Sequence, residues 1–451
     1  MKIGFGKVDI TPPLGIPLCG QLVALNSTRV ESSLFATAMC IDNGLKKLVF
    51  VSCDVLLISN ELAKEIVAES MIEEVVVAAT HTHSGPATIE VFGDNVNEQY
   101  LAQLKDGILE SIRNAIHNLE EGILRFSRDT LDGLAFNRRF LMDNDTVETH
   151  PLKANPHIVR PEGADSNDIN IVWAETNQGR ILGGLVVFGC HPTVMERDST
   201  LISAEFPGKA VEYLEQKFMA PFLYMQGACG DICQVNPMDY SQRETGGDWI
   251  KKMGYDIARK TEKMINSKGS ILDTGLNIIT QVIKLPRRKI SSELLNWANK
   301  HKNTNAIPPL LSDYGSEIYN QLPPEKVSLE DLFKTPFWAD FYANEIKTRQ
   351  YDYLRQPKMP FTIKIITIGK LAIIFLPCEL FIEWQNKIIE ASPFENTIVI
   401  ELANGWNGYI PTQEAFVRSG GYETKEVTST MLVPEAGDIV YKAIKKMLLL
   451  L

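Results

Sequence analysis

Short apolar runs alternate with amphipathic stretches along most of the chain, which is the pattern of an α/β protein. Leu48 to Leu57 reads as a buried strand, Asn60 to Glu73 as an amphipathic helix, and Val75 to Thr80 as a second buried strand. Glu98 to Leu119 places apolar residues at helical spacing. Ile169 to Ala174 and Ile181 to Gly189 form a hairpin-like pair around Thr176-Asn177-Gln178-Gly179, followed by a helix over Pro207 to Phe218 and a strand over Pro221 to Gln226. Strands resume at Phe361 to Ile368, Leu371 to Leu376 and Thr397 to Leu402, and Gly437 to Leu450 reads as a last helix. The letters show no internal repeat and no low-complexity tract. The expected fold class is α/β of a layered α+β kind, with mixed β-sheets flanked by helices.

Between about residues 289 and 355 the pattern changes. This stretch is polar, helical and rich in Asn, Lys, Glu and Tyr, with breaks at Pro308-Pro309 and Pro323-Pro324. It reads as a helical insertion or cap. Its aromatic residues, among them Trp297, Tyr314, Tyr319, Phe333 and Trp338, suit either an inward-packed cap or a lid or oligomer interface. A chain of 451 residues exceeds the roughly 250–300 at which one core stops growing. One composite catalytic unit over 1–451 is expected, with the insertion inside it.

A net charge of −11 argues against a nucleic-acid surface and against anionic lipid. The partner expected is a small molecule. The first residues show no apolar signal region, and no run approaches the roughly 18 residues of a membrane helix. Seven cysteines, an odd number, fit reduced thiols better than a disulfide framework. The expected location is therefore cytoplasmic.

Chemistry-bearing residues stand repeatedly where apolar strands run out: Asp54, His81 with His83, His191, Asp231, Glu379 and Tyr409. His81-Thr82-His83-Ser84-Gly85-Pro86 follows a strand directly, and residues i and i+2 of an extended segment share a side. Each has a bland alternative. His191 suits a hydrogen-bonded core, Glu379 the start of a helix over Leu380 to Glu390, and Asp54 or Asp231 a capping role. Together, neutral nitrogens and a carboxylate at strand ends match a zinc site with an open position.

The order Gly6-Lys7-Val8-Asp9-Ile10-Thr11-Pro12-Pro13, His81-Thr82-His83-Ser84-Gly85-Pro86, Asn137-Arg138, a strand-end His191, Gly230-Asp231, Pro377-Cys378-Glu379 and Gly408-Tyr409 closely resembles the neutral ceramidase family. The resemblance covers essentially the whole chain apart from the 289–355 stretch. It is to the N-terminal catalytic domain alone; the family's C-terminal immunoglobulin-like domain is expected to be absent. It implies a zinc ion held by His81, His191, Glu379 and Tyr409. It also implies His83 as a proton shuttle, Arg138 pointing into the site, and Tyr422, in Gly420-Gly421-Tyr422-Glu423, as a second site tyrosine. The chain departs from the family at Cys233, which stands near a serine of the family's Gly-Asp-Val-Ser-Pro-Asn motif.

The function expected is a zinc-dependent hydrolase that cleaves an amide bond of an N-acyl or related small substrate, with ceramide as one candidate. Arg138 and Tyr422 would stabilise the developing oxyanion, and Asp54 would orient His81 or His83. Two alternatives stay open: a metal-binding protein without activity, and a thiol hydrolase using Cys233.

Overall fold

Three runs of strand, strand, strand, helix, strand, helix follow one another along the chain, and each builds its own sheet. The computed structural model describes residues 1–20, 25–90, 96–196, 199–305 and 336–451. The first run comprises Lys2–Asp9, Phe35–Asp42, Lys47–Cys53, helix Asn60–Ser70, Glu74–Ala79 and helix Glu98–His117. The second comprises Ile123–Thr130, Asp168–Glu175, Ile181–Phe188, helix Glu205–Phe218, Phe222–Gln226 and helix Gly247–Asn266. The third comprises Leu276–Pro286, Lys358–Ile368, Leu371–Phe375, helix Ile382–Ala391, Asn396–Ile400 and helix Ala436–Leu448.

In each sheet the first three strands pair antiparallel. The fourth returns parallel to the third, with Cys53 opposite Ala79, Phe188 opposite Gln226 and Phe375 opposite Ile400. A parallel return needs a crossover, which a helix supplies each time. The repetition is one of topology, and it escapes a reading of the letters.

Alternation along the strands sorts side chains between two faces. In Asp168–Glu175, Ile169, Ile171 and Trp173 join a core shared with the helices Glu205–Phe218 and Gly247–Asn266. Val172 and Ala174 join a second core to which all three sheets contribute, through Phe50, Leu185 and Ile373 among others. Phe50 stacks on Phe375 with ring centroids 5.5 Å apart, a contact worth about 0.5–1.5 kcal/mol beyond area burial. The outer face of the first sheet is closed by Leu62 and Ile66 of one helix and Leu104 and Ile108 of another. These are the mixed sheets flanked by helices that the sequence predicts.

Two expectations need correction. The strand read as Leu48 to Leu57 ends at Cys53, and the chain turns away at Asp54. Glu379 does not begin a helix. It lies in a two-residue strand, Glu379–Leu380, paired parallel with Tyr409–Ile410, and the helix starts at Ile382. The Glu379 amide donates to Gly408 O at 3.0 Å, and the pairing continues with Leu380 opposite Ile410.

Helices Ser292–Lys300 and Pro336–Arg355 pack together through Ala298, Ala343 and Ile346. They lie within the connection between Leu276–Pro286 and Lys358–Ile368, whose pairing extends to Pro286 opposite Lys358. The readings at Pro308-Pro309, Tyr314, Tyr319, Pro323-Pro324 and Phe333 fall outside the described residues. Among the described residues no helix is long and apolar enough to cross a membrane.

Candidate metal centre

The carboxyl ends of the three parallel strand pairs carry the site, as is usual for ligand sites on α/β sheets. His81 and His83 follow Glu74–Ala79, His191 follows Ile181–Phe188, and Glu379 follows Leu371–Phe375. His81 is not extended, as the i, i+2 argument assumed. Its φ is 72°, a left-handed value uncommon for non-glycine residues and frequent at functional sites. The turn is held by the His81 amide on Val55 O at 3.0 Å.

Each of the three imidazoles is pinned in the same way. His81 Nδ1 lies 2.8 Å from Leu56 O, His83 Nδ1 lies 3.0 Å from Gly20 O, and His191 Nδ1 lies 2.6 Å from Cys229 O. A carbonyl oxygen only accepts, so each Nδ1 carries a proton, and a lone pair for a metal can be presented only at Nε2. Ligand atoms of the three rings lie within 4.8 Å of one another. Burial pushes His83 down to about 3, with His81 adding to the effect. Burial, with the charge of Arg138, also holds His191 well below the ordinary imidazole range.

Glu379 completes the cluster. Its Oε2 lies 3.2 Å from His191 Nε2 and 3.6 Å from His81 Nε2. Burial alone would raise its pKa, but the two imidazoles hold the carboxyl well below its usual range. Oε2 thus converges on two Nε2 atoms whose rings already commit Nδ1 to carbonyls, an arrangement that a proton or a shared cation between them satisfies. His81 Nε2 is buried and makes no hydrogen bond among the described residues. This donor set, imidazole nitrogen and carboxylate oxygen with second partners fixing each ring, fits a bound divalent metal.

Arg138 is buried beside the cluster. Its Nε donates to Glu423 Oε1 at 2.9 Å, and its Nη2 donates to Gly230 O at 2.7 Å and to Tyr409 Oη at 3.3 Å. Its guanidinium lies over the Tyr409 and Tyr422 rings at 5.7 and 5.1 Å, and those rings are 6.0 Å apart. Burial pushes both phenols up, so both keep their protons in the metal-free chain. The structure therefore brings His81, His83, His191, Glu379, Tyr409, Arg138 and Tyr422 into one neighbourhood.

Asp54 departs from its expected contacts. Its carboxylate accepts from the Phe35 amide at 2.9 Å and the Thr80 hydroxyl at 3.2 Å, whereas backbone carbonyls orient both His81 and His83. Asp231 accepts from the Ile382 amide and from Asn137 Nδ2, which ties a helix start to the Asn137-Arg138 segment. Cys233 lies 3.7 Å from His150 Nδ1, but burial pushes its thiol up to about 12. That suppresses the thiolate a nucleophile needs.

Several residues around the cluster were not read from sequence. Trp406 Nε1 donates to Glu379 Oε1 at 2.9 Å. Glu401 accepts from the Leu380 amide at 2.7 Å and from Cys229 Sγ at 2.9 Å, bracketing Glu379 and the carbonyl that holds His191. Only the position of Trp406, in the loop Asn404 to Gly408 leading into Tyr409, was available as a signal.

Fold and donor set together define a layered α/β protein with a buried candidate metal centre at its strand ends. The chain belongs to the neutral/alkaline non-lysosomal ceramidase family: the description of its N-terminal part matches residues 1–275. The neutral ceramidase of Pseudomonas aeruginosa is 27% identical over 234 residues, covering 48% of this chain and 33% of the relative. Neutral ceramidase A of Dictyostelium discoideum is 26% identical over 500 residues, covering 92% of this chain and 68% of the relative. The match thus spans about a third of the bacterial relative and about two thirds of the amoebal one. The crystal structure of the Pseudomonas aeruginosa enzyme superposes with a TM-score of 0.71 at 18% identity, covering 99% of this chain and 74% of that one. At that identity the likeness establishes the fold.

Proposed function

We propose that this chain is a zinc-dependent hydrolase that cleaves an amide bond of an N-acyl or related substrate, with ceramide the first candidate from the names of its relatives. The observation that carries the reading is the meeting of three imidazoles, each pinned at Nδ1 by a backbone carbonyl, with the buried carboxylate of Glu379. His81, His191, Glu379 and Tyr409 would hold the ion. Bound there, zinc would supply Lewis acidity that polarises the scissile carbonyl and makes water more acidic.

The chain's own residues supply the rest. His83, with its proton fixed on Nδ1 by Gly20 O, would accept a proton at Nε2 and pass it to the departing nitrogen. Arg138 carries a permanent charge fixed by Glu423 and Gly230 O, and with Tyr422 it would stabilise negative charge growing on the substrate oxygen. Asp54 would steady the turn into His81 through Thr80. The seven cysteines are buried and form no disulfide among the described residues, which suits a reducing compartment, and we place the activity in the cytoplasm on that ground.

The test is metal content by mass spectrometry on the native chain and on His81→Ala, Glu379→Ala and Cys233→Ala, with hydrolysis of an N-acyl amide panel including ceramide. The expected result is about one zinc per native chain, lost in the first two variants and kept in the third, with chelation abolishing hydrolysis. A native chain that takes up no zinc after repletion overturns the reading. Loss of activity in Cys233→Ala with zinc retained returns the thiol alternative.

A further inference from the structure

Two buried polar side chains outside the donor set cross-link the loops that carry the histidines. Gln226, at the end of its strand, donates from Nε2 to Thr80 O at 2.8 Å and accepts at Oε1 from the Cys190 amide at 3.3 Å. Thr80 and Cys190 are the residues just before His81 and His191. Glu205 spans the same loops beyond the histidines. Its Oε1 accepts from Ser84 Oγ at 3.1 Å, one residue past His83, and its Oε2 accepts from the Val194 amide at 2.7 Å, three residues past His191.

The environment of Glu205 exceeds what a helix start requires. Both Gln226 and Glu205 are fully buried. The helix Glu205–Phe218 has no side-chain cap, so the carboxyl is not used for capping. Its φ is 51°, a region that side-chain-bearing residues seldom enter. The conformation is held from both directions. Glu205 donates its amide to Ser203 Oγ at 2.9 Å, and Ser203 donates its own amide to Ser84 O at 2.9 Å and accepts from Thr82 Oγ1 at 2.6 Å. A buried carboxyl needs hydrogen-bond partners, but here its two oxygens are divided between two histidine loops.

We propose that Gln226 and Glu205 are positioning residues that set the spacing of the three imidazoles, Gln226 fixing His81 against His191 and Glu205 fixing His83 against His191. The functional meaning of that spacing rests on the metal reading of the same cluster. The division of labour gives each residue its own signature, which general destabilisation would not reproduce.

With only seven histidines in the chain, long-range ¹H–¹⁵N spectra of the metal-free protein can follow each ring, and zinc affinity can be measured by chelator competition. Glu205→Ala should shift the ring signals of His83 and His191 more than those of His81. Gln226→Ala should shift those of His81 and His191 more than those of His83. Each should weaken zinc binding by about 10–100-fold. Glu205→Gln should restore both readouts, because its carboxamide oxygen accepts from Val194 and its nitrogen donates to Ser84 Oγ. Equal shifts of all three rings, or unchanged rings and affinity in a folded Glu205→Ala protein, overturn the proposal. Should Glu205→Ala not fold, Ser84→Ala removes one arm of the link and is judged on the same His83 and His191 signals. A native chain that binds no zinc sinks the metal reading, while the ring spectra still decide the positioning.

Discussion

The indole nitrogen of Trp406 donates to Oε1 of Glu379 at 2.9 Å, leaving Oε2 of the same carboxylate turned toward His191 at 3.2 Å. The two oxygens are thereby given different tasks, one anchored and one offered to the cluster. Trp406→Phe keeps the aromatic bulk and removes the donor. Zinc affinity should fall by about 10–100-fold, and stability to denaturant by about 1–3 kcal/mol. Chelator competition and urea melts of the metal-free chain check the two separately. Native zinc affinity in Trp406→Phe would show that His81 and His191 alone orient Glu379.

Gly20 permits the close approach that fixes His83. It sits at φ 79°, and a Cβ there would stand 2.6 Å from His83 Nδ1. Gly20→Ala therefore has to displace either the imidazole or the carbonyl that holds it. With His83 as the proton relay, kcat should fall by about 10²–10⁴-fold while zinc content stays near the native level. Kinetics beside metal analysis make the check. Loss of zinc in parallel would assign His83 to the ligand set instead.

Much of the site was legible because its residues stand where apolar strands stop. His81, His191, Glu379 and Tyr409 were named on that ground and converge in the fold. The helix mistaken at Glu379 shows the limit: a carboxylate before an amphipathic run looks like a helix start, and the pairing with Tyr409 that decides otherwise is 30 residues away. A further signal lay in the letters, since the third strand of each run leads into cysteine followed by an acid or histidine: Cys53-Asp54, Cys190-His191 and Cys378-Glu379. The threefold topology is hidden because the connections within the runs differ so much in length, one of them carrying the 289–355 helices. Gln226 was read only as the last residue of a strand. Its bond to Thr80 crosses 146 positions, and a distance of that kind leaves no local periodicity to detect.

The Glu205 carboxyl couples stability to pH. Burial, opposed by hydrogen bonds from Val194 and Ser84, pushes it from 4.5 up to about 8. The folded state therefore holds this proton more tightly than the unfolded chain does. Its stabilising contribution is complete below pH 4.5 and is lost as the pH rises through about 8. Glu205→Gln has no proton to lose there. The Tm of the metal-free native chain should drop relative to that of Glu205→Gln by a few degrees across this window. Calorimetry of both proteins from acid to mildly alkaline pH is the check; parallel Tm curves would mean that the folded chain binds the Glu205 proton no more tightly than the unfolded chain does.

Glu423 is the most demanding electrostatic element near the cluster. It has no exposed surface and accepts from Arg138 Nε at 2.9 Å, Arg139 Nη1 at 2.8 Å and Thr149 Oγ1 at 2.7 Å. Burial alone would raise its pKa, but the two guanidiniums hold it below the carboxylate range. Arg139 has a second carboxylate in Glu162, whereas among the described residues Arg138 makes its carboxylate ion pair with Glu423. Glu423→Ala would leave Arg138 buried beside two tyrosines without that anion. A loss of about 3–5 kcal/mol is expected, as for other broken buried pairs. Glu423→Gln keeps the volume and an acceptor, so it should fold more stably than the alanine variant. Its kcat should still fall, because Arg138 is then held by Gly230 O and Tyr409 without its charge partner. Urea melts of both variants, with kcat measured on Glu423→Gln, decide the matter. Native kcat in Glu423→Gln would remove Arg138 orientation from the catalytic argument and leave Glu423 a role in folding alone.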